Sequence, residues 1–280
     1  MTRYVRDNRL AGLAIIVAPF ASGTRANRRV PDAHLEVRGR ECPYVSRGGL
    51  KLQAALDQFP IDLSERNCLD LGASTGGFTD VMLERGARRV TSVDVGKGQL
   101  HWKLRNDPRV VVMEKTNARY LKPEQFEERF DFLTGDLSFI GLHLILPAAF
   151  GLAKVGAQAV FLIKPQFEAG REQVGKGGVV RDPVVHREVL LRVVSHDYSA
   201  AGFCPVGLHP SPLKGPAGNI EYLVHYKKGT CDSNFHLEES FNLNPGTRAG
   251  DYEKIRVSLT SPQWSVVRKS EHEKATAEQY

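Results

Sequence analysis

Short apolar runs alternate with glycine-bearing polar turns along most of this chain. The runs are Cys68–Leu71, Arg89–Val93, Val110–Met113, Asp131–Thr134, Ala157–Ile163, Phe203–Leu208 and Ile220–Tyr226. Each has the length of a strand, and Cys68–Leu71 and Ala157–Ile163 have the apolar character of one buried on both faces. Between them the apolar period changes to that of a helix: Phe78, Val81 and Met82; Gln99 to Arg105; Leu142, Ile145, Leu146 and Phe150; and about Val184 to Ala200. Another helix through Leu50, Leu52, Ala55, Leu56 and Phe59 precedes the first run, with Ser46 expected as its N-cap. Strands alternating with helices predict a doubly wound α/β fold whose mostly parallel sheet binds ligands outside the strands' carboxyl ends.

The stretch Asn67 to Phe78, NCLDLGASTGGF, carries the first chemical signal. A strand breaks into a loop containing Gly72, Ser74, Gly76 and Gly77, and a helix opens at Phe78. Glycines admit a ligand close to the backbone, and the free amides of a helix start attract its polar groups. Many such loops are only tight turns, but the second strand ends in Asp94, 24 residues after Asp70. A carboxylate there can accept both hydroxyls of a ribose. GASTGG lacks the G-x-G-x-x-G spacing of a dinucleotide site and has few groups nearby for a pyrophosphate. A cofactor with a ribose and an adenine but no phosphate fits better, and S-adenosyl-L-methionine is one. The third strand runs into Lys115-Thr116-Asn117, where an adenine edge or a ribose can be read.

Charged residues collect at the same strand ends. Asp136 follows the fourth strand, Lys164 the fifth, Glu221 is placed in the last, and Lys51 lies on the helix that enters the sheet. Singly, each is more often structural than catalytic; four alternating charges beside a cofactor loop are much less common. The loop from Glu168 to Pro183, with four glycines and the cations Arg171 and Lys176, is long for a mere connection and suits a substrate-contacting flap.

Composition narrows the class. Hydrophobic residues at 41% and charged residues at 25% are ordinary for a soluble globular protein. The net charge of +6 divides into +5 over residues 1–48, +3 over the middle and −2 over residues 229–280. A basic N-terminal arm suggests a polyanionic partner, with Arg25, Arg28, Arg29 and Arg47 as candidate phosphate contacts. The longest apolar run, Leu10 to Phe20, is about half a membrane span and reads as a buried segment rather than a signal peptide. Residues 1–30 show no convincing period, and Arg29–Val37 hints at a turn and strand. Cys42, Cys68, Cys204 and Cys231 have no metal-site spacing, so reduced thiols in a cytoplasmic protein are expected, and no metal.

Several motifs together resemble one family. GASTGGFTD, DVGKGQL, LRNDPRV, GDLSFI, IKPQFE, GGVVRDP, SPLKGPAGNIEY and VSRGGLKL are similar to those of the TlyA family of FtsJ-type ribosomal RNA methyltransferases, also labelled hemolysins, from about Pro43 to Tyr226. The resemblance implies a seven-stranded class I methyltransferase fold and S-adenosylmethionine-dependent 2′-O-methylation of ribose in ribosomal RNA. It implies a Lys-Asp-Lys-Glu tetrad, which falls on Lys51, Asp136, Lys164 and Glu221. The family's cofactor positions fall on Gly76, Gly77, Phe78, Asp94, Asn117 and Asp136.

A ribose hydroxyl is a poor nucleophile near neutral pH, so attack on a sulfonium methyl needs a base and tight positioning. A lysine serves as base where burial and a neighbouring cation favour its neutral form, and Lys51 is such a neighbour for Lys164. The expected division is a truncated RNA-binding-domain remnant and linker over 1–45, a catalytic domain over 46–228 and a disordered polar tail over 229–280. Two other readings stay open: an RNA- and cofactor-binding protein without turnover, and a membrane-lytic hemolysin. The expected partner is ribosomal RNA or a ribosomal subunit; oligomeric state is open.

Overall fold

The structure, a computed structural model, describes residues 4–5, 14–17, 35–38, 42–196 and 198–229 of the chain. Arg25, Arg28, Arg29 and the tail from residue 230 onward lie outside the described residues. Near the N-terminus, β1 (Tyr4–Val5), β2 (Ala14–Val17) and β3 (Leu35–Arg38) form an antiparallel sheet with β2 in the middle. Part of the Leu10–Phe20 run is therefore a strand paired along both edges, Ile15 facing Val37 in register. The strand hinted at before Val37 begins only at Leu35.

The main sheet contains β4 (Asn67–Leu71), β5 (Arg89–Val93), β6 (Val110–Met113), β7 (Phe130–Gly135), β8 (Ala153–Ile163), β9 (Phe203–Pro210) and β10 (Tyr222–Lys228). Their spatial order is β6-β5-β4-β7-β8-β10-β9. All neighbours from β6 through β8 run parallel, and β10 is antiparallel to both β8 and β9. The order reverses beside β4, so a crevice opens at the carboxyl ends of β4 and β7.

Every residue of β4 is buried, as a central strand with helices on both faces requires. Its side chains alternate between two cores. Leu69 and Leu71 join Leu133, Phe150, Phe161 and Tyr226 on one face; Cys68 joins Phe132, Val160, Leu52, Phe78 and Met82 on the other. Removing each such side chain from water contributes roughly 1.5–3 kcal/mol. α1 (Gly49–Gln58) and α2 (Gly77–Glu84) cover the second core; α4 (Leu146–Gly151) and α6 (Pro183–Ser195) cover the first. The short α3 (Trp102–Arg105) and α5 (Pro165–Glu168) complete the set.

Some boundaries differ from expectation for local reasons. Ser46 does not cap α1: the N-cap is Gly48, and the Ser46 carbonyl accepts the Gly49 N–H in a preceding turn. The segment Leu142–Phe150 splits into a 3-10 turn at Leu142–Leu144 and α4, because Pro147 has no N–H to continue a ladder but suits a first turn. α6 ends at Ser195, five residues early, where His196 turns to extended backbone. Its start is set by Pro183 and by Asp182, whose carboxylate accepts the Val184 N–H at 2.9 Å. Cys42 and Cys68 are free thiols, whereas Cys204 is disulfide-bonded, a pairing that residue spacing alone did not reveal.

Candidate active site

The glycine loop is shaped by backbone that few side chains could adopt. Gly72 and Gly76 have φ of 76° and 98°, and Ser74 sits at 50°. A Cβ on Gly76 would lie 2.3 Å from the Leu104 side chain, and one on Gly77 would lie 2.7 Å from the Gly49 nitrogen. Gly77 is therefore required by close approach to backbone, and Gly76 by its left-handed conformation. α3 and the start of α1 pack directly on the loop.

Asp94 closes the loop from the next strand. Its two carboxylate oxygens accept the Ser74 N–H at 2.8 Å and the Gly96 N–H at 2.7 Å. Ser74 Oγ donates to Gln99 Oε1 at 3.3 Å. Asn117 stands exposed beyond β6, its Oδ1 capping the Arg119 N–H at 3.0 Å. The Phe78 ring is buried in the second core, so only its backbone faces the loop. Below the loop, Asp70 is 1% exposed and accepts the Thr79 hydroxyl at 2.7 Å. Burial, helped by the negative charge of Asp136, raises its pKa to about 7 against the opposing Thr79 hydrogen bond. The Asp94 carboxylate at the loop makes this a poor place for phosphates and a suitable one for a ribose-bearing cofactor without them.

The structure brings the four expected charges together. Lys51, 8% exposed, donates to Glu221 Oε2 at 2.7 Å and to Asp136 Oδ2 at 3.3 Å. Lys164 Nζ lies 2.5 Å from the other Asp136 oxygen and donates to Ser138 Oγ at 2.8 Å. The two lysines thus flank one carboxylate. Burial acts to lower the Lys51 pKa, but Asp136 and Glu221 outweigh it and the net shift is upward. Burial acts to raise the Asp136 pKa, and the two ammonium groups overcome it, holding the carboxyl below its usual range.

Glu221 is not within the last strand. It precedes β10 by one residue, one step beyond the ladder pair Tyr222–Ile163, and so stands across from Lys164 at the end of β8. Sequence reasoning missed Ser138 and Gln166, each two residues beyond a tetrad member; Gln166 Nε2 donates to Glu221 Oε1 at 3.4 Å. It also missed Phe139, which is 88% exposed at φ 65°, with its ring 4.9 Å from Phe167. A bulky side chain held in left-handed backbone and exposed beside reactive groups points to a functional constraint. Its only advance signal was its place in GDLSFI. Arg47, Arg171 and Lys176 are all exposed.

Strand order, glycine loop and crevice charges define a class I methyltransferase. The FtsJ-like methyltransferase family model matches residues 44–228, and the chain belongs to that family. It is 49% identical over 223 residues to the 16S/23S rRNA (cytidine-2′-O)-methyltransferase TlyA of Mycobacterium tuberculosis, covering 79% of this chain and 80% of that one. It is 45% identical over 184 residues to Hemolysin A of Brachyspira hyodysenteriae, covering 65% and 76%. A solved structure from Streptococcus thermophilus that carries the label hemolysin superposes with a TM-score of 0.68 at 42% identity, covering 88% of this chain and 82% of that one. The resemblance to the TlyA group is thereby borne out. Among the described residues, no helix is long and apolar enough to cross a membrane.

Proposed function

We propose that this methyltransferase transfers a methyl group from S-adenosylmethionine to a ribose 2′-hydroxyl of ribosomal RNA, with Lys164 as the general base. The observation that carries the reading is the Asp136 carboxylate held between Lys51 and Lys164 at the crevice beside the glycine loop. The amides and close-packed glycines of residues 72–78, with Asp94 and Asn117, would hold the cofactor, which supplies an electrophilic methyl on a sulfonium. Lys51, bound by two carboxylates, is fixed as a cation. Lys164, with one carboxylate and the Ser138 hydroxyl, is the lysine freer to take the hydroxyl's proton at Nζ. Asp136 orients both ammonium groups, and Glu221 anchors Lys51. Exposed Phe139 offers a face on which a base could stack.

In this reading residues 46–228 are the catalytic unit, residues 1–45 assist docking, and Arg25, Arg28, Arg29, Arg47, Arg171 and Lys176 contact phosphates of a ribosomal subunit in the cytoplasm. Support comes from the names of the TlyA relatives and from the exposure of Arg47, Arg171 and Lys176. The test is methyl transfer from labelled S-adenosylmethionine to ribosomal RNA, followed by mapping of ribose methylation. Label found on a base, or none on RNA, would overturn the proposal.

A further inference from the structure

The flap that follows Lys164 is tied by a continuous set of largely buried hydrogen bonds to the residues on either side of Glu221. Its middle is exposed and glycine-rich: Gly177 and Gly178 have φ of 81° and 73°, and Gly175 pairs with Val179. Its return is not. Val180 is 3% exposed, and side chains from elsewhere take both of its backbone polar groups.

The Val180 N–H donates to Asn219 Oδ1 at 3.0 Å, and Asn219 Nδ2 donates to the Gly178 carbonyl at 2.8 Å. The Val180 carbonyl lies 3.1 Å from His186 Nε2, and His186 Nδ1 lies 3.0 Å from the Tyr222 hydroxyl. A carbonyl only accepts, so Nε2 carries the proton and Nδ1 accepts from Tyr222. Burial favours this neutral ring by lowering the His186 pKa, against the opposing influence of the Val180 hydrogen bond. The relay therefore has one direction throughout, from Tyr222 through His186, Val180 and Asn219 to Gly178.

Two members of this relay flank Glu221. Asn219 is two residues before it and Tyr222 is the residue after it. The Glu221 carbonyl accepts the Ser211 N–H at 2.8 Å, and Gly215, whose N–H donates to the Asn219 carbonyl at 2.8 Å, packs so tightly that a Cβ there would sit 2.5 Å from Glu221 Oε1. Glu221 is thus packed and hydrogen-bonded against the segment that clamps the flap.

We infer that Asn219 is a positioning residue that couples the flap to Glu221, so that contact between RNA and the flap sets the carboxylate anchoring Lys51. This rests on the methyltransferase reading of the tetrad. The amide has the right chemistry because it accepts from one flap residue and donates to another two positions away. An ionised carboxylate could only accept, and a hydroxyl would have to do both from one oxygen, whereas the amide presents an acceptor and a donor on separate atoms.

The test compares parent, Asn219→Ala and Tyr222→Phe. Hydrogen exchange is followed at the Val180 amide, on the flap, and at the Ser211 amide, which reports on Glu221. Steady-state methyl transfer to a ribosomal RNA fragment and calorimetric S-adenosylmethionine affinity are measured alongside. In Asn219→Ala both amides should exchange about tenfold faster or more, as loss of buried hydrogen bonds allows. Its kcat should fall and its KM for RNA rise by a similar factor, with cofactor affinity within about twofold of parent. Tyr222→Phe removes only the hydroxyl from a fully buried ring, should shift the same quantities less, and carries the test if Asn219→Ala fails to fold. Faster exchange at Val180 with parent exchange at Ser211 overturns the coupling whether or not the chain methylates RNA. So does cofactor affinity falling in step with kcat. A parent that transfers no methyl overturns the functional reading instead, and the Ser211 amide still decides the coupling.

Discussion

Lys51 Nζ and Glu221 Oε2 meet at 2.7 Å although 170 positions separate them in the chain. Both are buried, and Asp136 is the second carboxylate on the same ammonium. Removing one partner of such a pair strands the other's charge, at a cost of about 3–5 kcal/mol, whereas removing both costs much less. Lys51→Met should therefore lower stability by roughly 3 kcal/mol, and adding Glu221→Gln should recover part of it. Urea unfolding of the two single variants and the double variant checks this; additive losses would mean the pair is not energetically coupled.

Lys164→Arg keeps the positive charge beside Asp136 but cannot deprotonate near neutral pH. Binding of S-adenosylmethionine and RNA should persist while methyl transfer falls about a hundredfold or more, the scale of general-base catalysis. Lys51→Arg should lose less, because its role is electrostatic. Single-turnover rates at saturating RNA and cofactor make the comparison. A near-parent rate for Lys164→Arg would leave positioning and desolvation to carry the reaction.

Asp94 accepts two loop amides through its carboxylate. Asp94→Ala should abolish measurable S-adenosylmethionine binding by calorimetry while far-ultraviolet circular dichroism stays at the parent spectrum. Unchanged affinity would move the cofactor elsewhere, and NADH binding of comparable strength would argue for a dehydrogenase.

Phe139 combines 88% exposure with positive φ. Phe139→Gly should leave the melting temperature unchanged or raise it, because glycine relieves the backbone strain. The same variant should weaken RNA binding by about 1–3 kcal/mol, the value of one stacked base. Parent RNA affinity in this variant would remove Phe139 from the substrate site.

Asp70 gives a pH signature with a definite sign. Its pKa is about 7 when folded, through burial above all, against about 3.9 in an unfolded chain. The folded state holds this proton more tightly, so the contribution is full below pH of about 4 and is lost as pH rises through about 7. Asp70→Asn does not titrate. Its stability relative to parent should climb between those limits, by an amount on the order of 4 kcal/mol, and then level off. Subtracting parent from variant at each pH cancels other groups, including His225, whose pKa burial lowers to about 4. A difference that does not change with pH would mean Asp70 is already ionised at the lower limit.

The amino-acid sequence determined the strand–helix alternation, because period and run length are local properties that a buried parallel sheet imposes on every strand. It also determined the glycine loop, since Gly72, Gly76 and Gly77 are needed for reasons of backbone conformation and close approach that show in residue type alone. That Lys51, Asp136, Lys164 and Glu221 would converge was legible through the motifs that carry them. What Lys51 touches was not: its two carboxylates arrive from the ends of different strands, and only the parallel packing of β7 on β8 and the antiparallel register of β10 on β8 bring them together. Sequence placed Lys51 beside Lys164 and offered Asp136 and Glu221 as partners of the ammonium groups, without saying which carboxylate meets which lysine. The tertiary structure put Asp136 between them, because two buried ammonium groups need a shared counter-charge. Ser138, Gln166 and the Asn219 clamp were invisible for the same reason. A hydroxyl or an amide is common at turns, and its partner is chosen by packing rather than by sequence spacing.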